Sequence, residues 1–205
     1  MEKSQTFWDK NAGRYDLFMR KDAAAYAQLY GLLRPAVRRK TALELATGTG
    51  LIAKNIVSSA DHIEATDASA EMIAEARRDN RSTKLHFSVQ DMFHLPYADE
   101  SFDVIIVANA LHIVPEPQNA LSEIRRVLRN DGVLVAPTFT HADNSFFGRV
   151  KAFAMKLAGF PLHSRWTSEE YLAFLRENGW TVQKSTVLKA SFPLTYAECA
   201  KQKEL

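Results

Sequence analysis

A chain of 205 residues with 46% hydrophobic and 24% charged side chains has the apolar content for a sizeable core in one domain, and its net charge of +2 is too small by itself to imply nucleic acid or an anionic membrane surface. The single cysteine, Cys199, excludes an internal disulfide and argues against a cysteine-based metal site. Met1–Lys10 has no apolar core of signal-peptide length and no stretch reaches the ~18 apolar residues of a membrane span, so a cytoplasmic location is expected.

The first 40 residues carry no strand signal and read as one or two helices forming a cap ahead of a sheet, with Trp8, Ala12 and Tyr15 on one helical face. From residue 41 strand and helix patterns alternate. Ala42–Ala46 is a short apolar run that stops at a turn with Gly48 and Gly50, and Leu51–Val57 follows as a helix. His62–Thr66 is the second strand pattern; Glu71–Asp79 then puts Met72, Ile73 and Ala76 on one helical side. Leu85–Val89 and Val104–Ala108 are further strands, and Asn119–Arg129 a helix ending at Asn130-Asp131-Gly132. After the strand Val133–Pro137 comes Phe146–Phe160, with Phe146, Phe147, Val150, Phe153, Ala154 and Leu157 at helical spacing. Thr167-Ser168-Glu169-Glu170 is a capping box that opens a helix closed by Asn178-Gly179, and Thr181–Val187 and Thr195–Lys201 complete the strands. This alternation implies an α/β fold with a parallel sheet covered on both faces, its binding crevice outside the carboxyl ends of the strands.

The turn at residues 46–50 brings bare backbone N–H groups close to a ligand, an arrangement suited to a nucleotide-bearing cofactor. Gly48-x-Gly50-x-x-Ala53 also fits a dinucleotide fingerprint, and Asp67, 17 residues after Gly50, is placed to accept from a ribose diol in either kind of site. The next residues separate the two. Met72, in Asp67-Ala68-Ser69-Ala70-Glu71-Met72, offers a thioether one helical turn in, suited to an adenine face. Asp91, ending Ser88-Val89-Gln90-Asp91, offers an acceptor for an adenine amino group.

With these blocks, with Leu95–Asp103 running into Val104–His112, and with Trp8-Asp9-x-x-Ala12-x-x-Tyr15-Asp16, the chain resembles the class I S-adenosylmethionine-dependent methyltransferases over about residues 7–200. It looks most like the branch that includes the ubiquinone/menaquinone biosynthesis C-methyltransferases and many small-molecule methyltransferases. The resemblance implies a Rossmann-like sheet of seven strands in the order 3-2-1-4-5-7-6, the last antiparallel, with an N-terminal helical cap. Within one domain, 1–40 would be that cap, 41–137 the cofactor-binding half, 138–166 a lid and 167–205 a C-terminal helix and strands. By the same resemblance Ala46, Thr47, Gly48 and Gly50 would line the methionine half of S-adenosylmethionine, and Glu44 would brace the loop or the cofactor's amino group. Asp67 would hold the ribose, with Ala68 beside it; Met72, Asp91 and Met92 would flank adenine; Asn109 and Ala110 would contact the methionine moiety; Tyr15 would close the pocket near the sulfonium. Ala46 stands where the common pattern has a first glycine, and its methyl group is tolerable there if the residue keeps a negative φ.

Methyl transfer from a sulfonium mainly requires alignment and exclusion of water, so a general base is needed only for a poorly acidic acceptor. His112, His141 and Tyr15 are the candidate acceptor-pocket residues; His163, like His141, flanks the lid. Asn109-Ala110-Leu111-His112 is not the signature of amino methylation of adenine or glutamine, and no Pro-Cys nucleophile follows the fourth strand. Asp143-Asn144 reads as a solvated turn, and Arg38-Arg39-Lys40 as the cationic end of a helix. What remains is a small, partly apolar acceptor, with S-adenosylhomocysteine as the second product. Arg149, Lys151 and Lys156 make the Phe146–Phe160 segment basic, which leaves peripheral membrane contact open. The alternatives are an NAD(P)-dependent oxidoreductase and a non-catalytic S-adenosylmethionine-binding protein. Against the first, no tyrosine has a lysine four residues later. Nothing in the pattern specifies an oligomeric state.

Overall fold

The short apolar runs become the centre of the sheet in the computed structural model, which describes residues 20–140 and 163–202. Strands β1 (Thr41–Leu45), β2 (His62–Asp67), β3 (Leu85–Val89), β4 (Phe102–Val107) and β5 (Leu128–Val135) pair in parallel in the order β3-β2-β1-β4-β5. A two-residue strand, β6 (Thr138–Phe139), follows Pro137. Next to β5 lies β8 (Leu194–Lys201), antiparallel, and β7 (Trp180–Leu188) pairs antiparallel with β8. Leu134 stands opposite Cys199 and Thr138 opposite Thr195, so β6 continues β5 in one register. With β6 taken as that continuation, the strand order is the one the family resemblance implied.

Helices cover both faces. On one, α1 (Ala23–Ala36), α2 (Leu51–Ile56) and α3 (Ala70–Arg78) bring Tyr26, Leu29, Leu33, Ile52 and Ile73 against Ala42, Ile63, Val104 and Ile106. On the other, α4 (Pro117–Val127) and α5 (Ser168–Glu177) bring Leu121, Ile124, Tyr171 and Leu175 against Leu43, Leu45, Ile105 and Leu134. Successive strand side chains point to opposite faces, so central strands covered twice read as continuous apolar runs.

Three helix ends are set by local chemistry. Ser69 caps α3, its Oγ accepting from the Met72 N–H at 3.1 Å. Thr167 and Glu170 form both bonds of the capping box that opens α5, and Gly179 follows that helix at φ +82°. The helix end expected at Asn130-Asp131-Gly132 is wrong. Helix α4 stops at Val127, not Arg129, and Leu128 already pairs with Phe102. Asn130-Asp131-Gly132 is therefore not a helix stop; Arg129–Gly132 form an irregularity in β5 before Val133 meets Val104. A turn-forming triplet serves either purpose, and the register with β4 decides.

The loop between β3 and β4 is clamped by α4. Glu123 Oε1 accepts from the Leu95 N–H at 2.8 Å, and Arg126 donates to the carbonyls of Leu95 and Tyr97 and to the carboxylates of Asp99 and Glu123. Arg126→Ala removes a charged donor from all of these at once. It is expected to cost roughly 2 kcal/mol, read as a lower urea midpoint with an unchanged slope.

The Trp8–Tyr15 face, the Phe146–Phe160 segment, Tyr15 and His141 lie outside the described residues. Among the described residues, no helix is long and apolar enough to cross a membrane.

Candidate functional site

The strand order reverses between β1 and β4, and in an open parallel sheet this is where a crevice forms outside the carboxyl ends. Both strands end there in left-handed backbone. Leu45 stands opposite Val107; just beyond them Ala46 has φ +52° and Asn109 φ +53°. A positive φ is costly for a residue with a side chain, and such strain concentrates where function fixes the backbone. Among the described residues the other two non-glycine residues with positive φ, Arg39 and Glu100, lie at the opposite end, before β1 and β4. Ala46 thus does not keep the negative φ on which easy accommodation of its methyl group depends. The turn is shaped for glycine, and the methyl group carries a strain of about 1–2 kcal/mol. Ala46→Gly is expected to raise the melting temperature of the ligand-free protein by about 2 °C in calorimetry, the relief being partly offset by unfolded-state entropy.

Gly48 (φ +58°) and Gly50 (φ +77°) complete the turn. Gly50 is needed twice over, because an added Cβ would lie 2.6 and 2.7 Å from ring carbons of Phe87 on β3. Asp67, the last residue of β2, ties the turn to the neighbouring strand. Its Oδ2 accepts from the Gly48 N–H at 2.8 Å and its Oδ1 from the Ser69 N–H at 3.0 Å. A carboxylate can accept from a ribose hydroxyl as well as from backbone N–H groups.

The other expected cofactor residues are placed as follows. Ala68 is exposed, Met72 is buried, and Met92 is partly buried against the core. Asp91 folds onto its own turn, Oδ1 accepting from the Phe93 N–H at 3.0 Å, with Oδ2 3.7 Å from the exposed His94. Ala110 is buried behind Asn109. His112 is buried too; its Nδ1 lies 2.8 Å from Thr138 Oγ1, and its carbonyl accepts from the N–H groups of His163 and Ser164. His112 therefore joins the end of β4 to the end of β5 and to the chain entering α5. His163 is exposed.

Tyr26 escaped the sequence reading. Its hydroxyl, carried on α1, accepts from Asn109 Nδ2 at 2.9 Å. The one signal was a polar hydroxyl sharing a helical face with Leu29 and Leu33, which core packing explains equally well. Cys199 is buried, and burial pushes its thiol up to about 12, so it carries no thiolate at neutral pH.

Glu44 is 2% exposed on β1, directly below the turn. Burial pushes its carboxyl up to about 8; the Thr47 side chain and the Ala53 N–H oppose the shift, and the Asp67 carboxylate adds to it. The Thr47 hydroxyl lies near enough to favour the Glu44 carboxylate, but neither Glu44 Oε2 nor Thr47 Oγ1, both buried, makes a hydrogen bond of normal length and angle among the described residues. A buried polar atom left unpaired costs about 1–3 kcal/mol, so this pair suits a ligand that donates hydrogen bonds. The ammonium of a methionine moiety is such a donor. A pyrophosphate, acceptor-only, donates nothing to the Glu44 carboxylate and would meet the Asp67 carboxylate as a like charge.

The fold and this crevice define a nucleotide-cofactor enzyme of the methyltransferase type. Residues 43–136 match the methyltransferase domain family. The chain is 32% identical to the demethylmenaquinone methyltransferase of Thermotoga maritima over 157 residues, which cover 73% of this chain and 67% of that one. It is 29% identical to the demethylmenaquinone methyltransferase of Thermobifida fusca over 195 residues, 90% of this chain and 82% of the other. The solved DhpI-SAH complex superposes with a TM-score of 0.76 at 25% identity, covering 99% of this chain and 97% of that one. The chain belongs to the class I S-adenosylmethionine-dependent methyltransferases, and S-adenosylmethionine is its cofactor.

Proposed function

We propose that this methyltransferase acts on a small, partly apolar acceptor of the demethylmenaquinone type, working from the cytoplasm, and that the crevice between β1 and β4 holds the cofactor. The unpartnered Glu44 Oε2 and Thr47 Oγ1 carry the site assignment. In this reading Glu44 and Thr47 take the ammonium, the turn from Ala46 to Gly50 receives the methionine chain, and Asn109 and Ala110 flank it from β4. Asp67 accepts from the ribose, and Met72, Asp91 and Met92 border the adenine. When bound, the cofactor supplies an electrophilic methyl group on a sulfonium. The protein's task is to align the acceptor with it and to exclude water. Ala23–Ala36 packs on the sheet and Thr138–Phe139 is part of it, so within the cap at 1–40 and the lid at 138–166 it is Tyr15 and His141 that this reading assigns to the acceptor side. The basic residues Arg149, Lys151 and Lys156 favour contact with a membrane surface that presents a lipid-like acceptor.

The names of the Thermotoga and Thermobifida relatives support the acceptor class. Labelled methyl transfer to demethylmenaquinol in vesicles tests it, and the absence of labelled product alongside tight S-adenosylhomocysteine binding would transfer the reading to another acceptor. A thermal-shift comparison tests the cofactor site: S-adenosylhomocysteine at 100 times its dissociation constant stabilises by about 2.7 kcal/mol, whereas NADH leaves the transition unmoved. His112→Ala is expected to weaken acceptor affinity and to cost about 1–2 kcal/mol of stability, since Thr138 Oγ1 loses its partner. Unchanged turnover and acceptor affinity would remove His112 from the acceptor pocket.

A further inference from the structure

Asn109 is tied on three sides. Its N–H donates to the Pro137 carbonyl at 2.8 Å, its Oδ1 accepts from the Phe139 N–H at 3.1 Å, and its Nδ2 donates to the Tyr26 hydroxyl at 2.9 Å. The first two bonds hold it to the link between β5 and β6. The third reaches across to α1, a helix whose Leu29 and Leu33 are fully buried. Tyr26 is itself 4% exposed and sits edge-on to the ring of Tyr30, 6.0 Å between centroids. Its hydroxyl is thus presented from a fixed place.

Asn109 needs such support. At φ +53° it occupies a conformation that an asparagine tolerates but does not require, and a side-chain amide can rotate unless both ends are bonded. The Phe139 N–H fixes the oxygen end and the Tyr26 hydroxyl the nitrogen end. The turn beyond β4 is therefore held by the N-terminal helix as well as by the sheet. Sites bound to rigid elements in this way keep their geometry without a ligand, which lowers the cost of binding.

We propose that Tyr26 is a positioning residue for cofactor binding, acting through the Asn109 amide to hold the left-handed turn at the end of β4 in its binding geometry. The proposal rests on the reading that the crevice between β1 and β4 receives the cofactor. In this proposal the loss of the Tyr26 hydroxyl reaches the cofactor through Asn109.

The test is calorimetric titration of S-adenosylhomocysteine into the full chain, with the melting temperature of each ligand-free variant measured alongside. Tyr26→Phe is expected to weaken binding about five- to tenfold, one hydrogen bond's worth, while the ligand-free melting temperature falls by no more than about 4 °C. Asn109→Gly keeps a residue suited to positive φ but deletes the amide, and is expected to weaken binding at least as much. The double variant should bind no more weakly than Asn109→Gly alone, because the two side chains act as one unit. Wild-type affinity in Tyr26→Phe, with or without a lower melting temperature, overturns the proposal, as does an additive loss in the double variant. If the wild-type chain fails to bind S-adenosylhomocysteine, the cofactor-site reading falls and takes the proposal with it.

Discussion

The affinity of wild-type protein for S-adenosylhomocysteine is expected to rise about tenfold per pH unit between pH 5.5 and 7.5, and Glu44→Gln to abolish that slope. The reason lies in the burial of Glu44. Its carboxyl is held at about 8 in the ligand-free fold, so at neutral pH it is mostly protonated. An ammonium beside it favours the carboxylate, so binding must release a proton, and affinity climbs until the site is already deprotonated near pH 8. Glutamine copies the protonated acid at every pH. Near pH 8 the variant should therefore bind at least a hundredfold more weakly than wild type, and the gap should narrow on acidification. Titration calorimetry in buffers of different ionisation enthalpy measures the released proton directly. A wild-type affinity flat across this range would show that Glu44 does not face the ammonium.

The same carboxyl makes a second pH dependence, in stability. Its folded pKa, about 8, lies above the 4.5 of the unfolded chain, so between these values the folded state binds the extra proton. Stability then falls as pH rises from about 4.5 to about 8 and levels off above, by up to roughly 5 kcal/mol for the full shift. Glu44→Gln lacks this fall. Its ligand-free form should be more stable than wild type at pH 8 and close to it at pH 5, by urea denaturation. One substitution thus stabilises the empty protein while it weakens the bound one, the pattern expected of a residue strained for function.

The second large effect is expected at Gly50. Gly50→Ala places a side chain at φ +77° and a Cβ within 2.7 Å of the Phe87 ring. Left-handed strain of about 1–2 kcal/mol and overpacking of about 1–3 kcal/mol add to a loss of roughly 3 kcal/mol, with cofactor binding lost as the turn shifts. The two causes can be separated. Phe87→Leu in the Gly50→Ala background relieves only the overpacking and should recover part of the stability but not the affinity. Full recovery of both would mean that φ at this position is not what the turn requires.

The glycine turn, Asp67 and the alternation of strands and helices were legible in the sequence because each is local. A turn needs its glycine within a few residues, and a twice-covered strand announces itself as an apolar run. The family resemblance also carried the strand order, including the antiparallel last strand. What misled the reading was equally local. Asn130-Asp131-Gly132 has the composition of a helix stop, and only the pairing of Leu128 with Phe102 makes it an irregularity within β5. The methyl group of Ala46 is easily tolerated only at negative φ, and the path from β1 into the turn imposes the opposite sign.

By itself, then, the sequence determined the fold class, the cofactor and the residues of the turn, since these follow from short-range pattern and from blocks contiguous along the chain. The tertiary structure alone decided which of these residues act on one another. Tyr26 and Asn109 are 83 residues apart, Asn109 and Phe139 are 30 apart, and Gly48 reaches Asp67 across 19. No periodicity encodes such contacts. They arise because parallel strands gather their carboxyl ends at one edge of the sheet, and burial then dictates that the polar groups meeting there satisfy one another or, as with Glu44 Oε2 and Thr47 Oγ1 among the described residues, stay without a well-formed hydrogen bond.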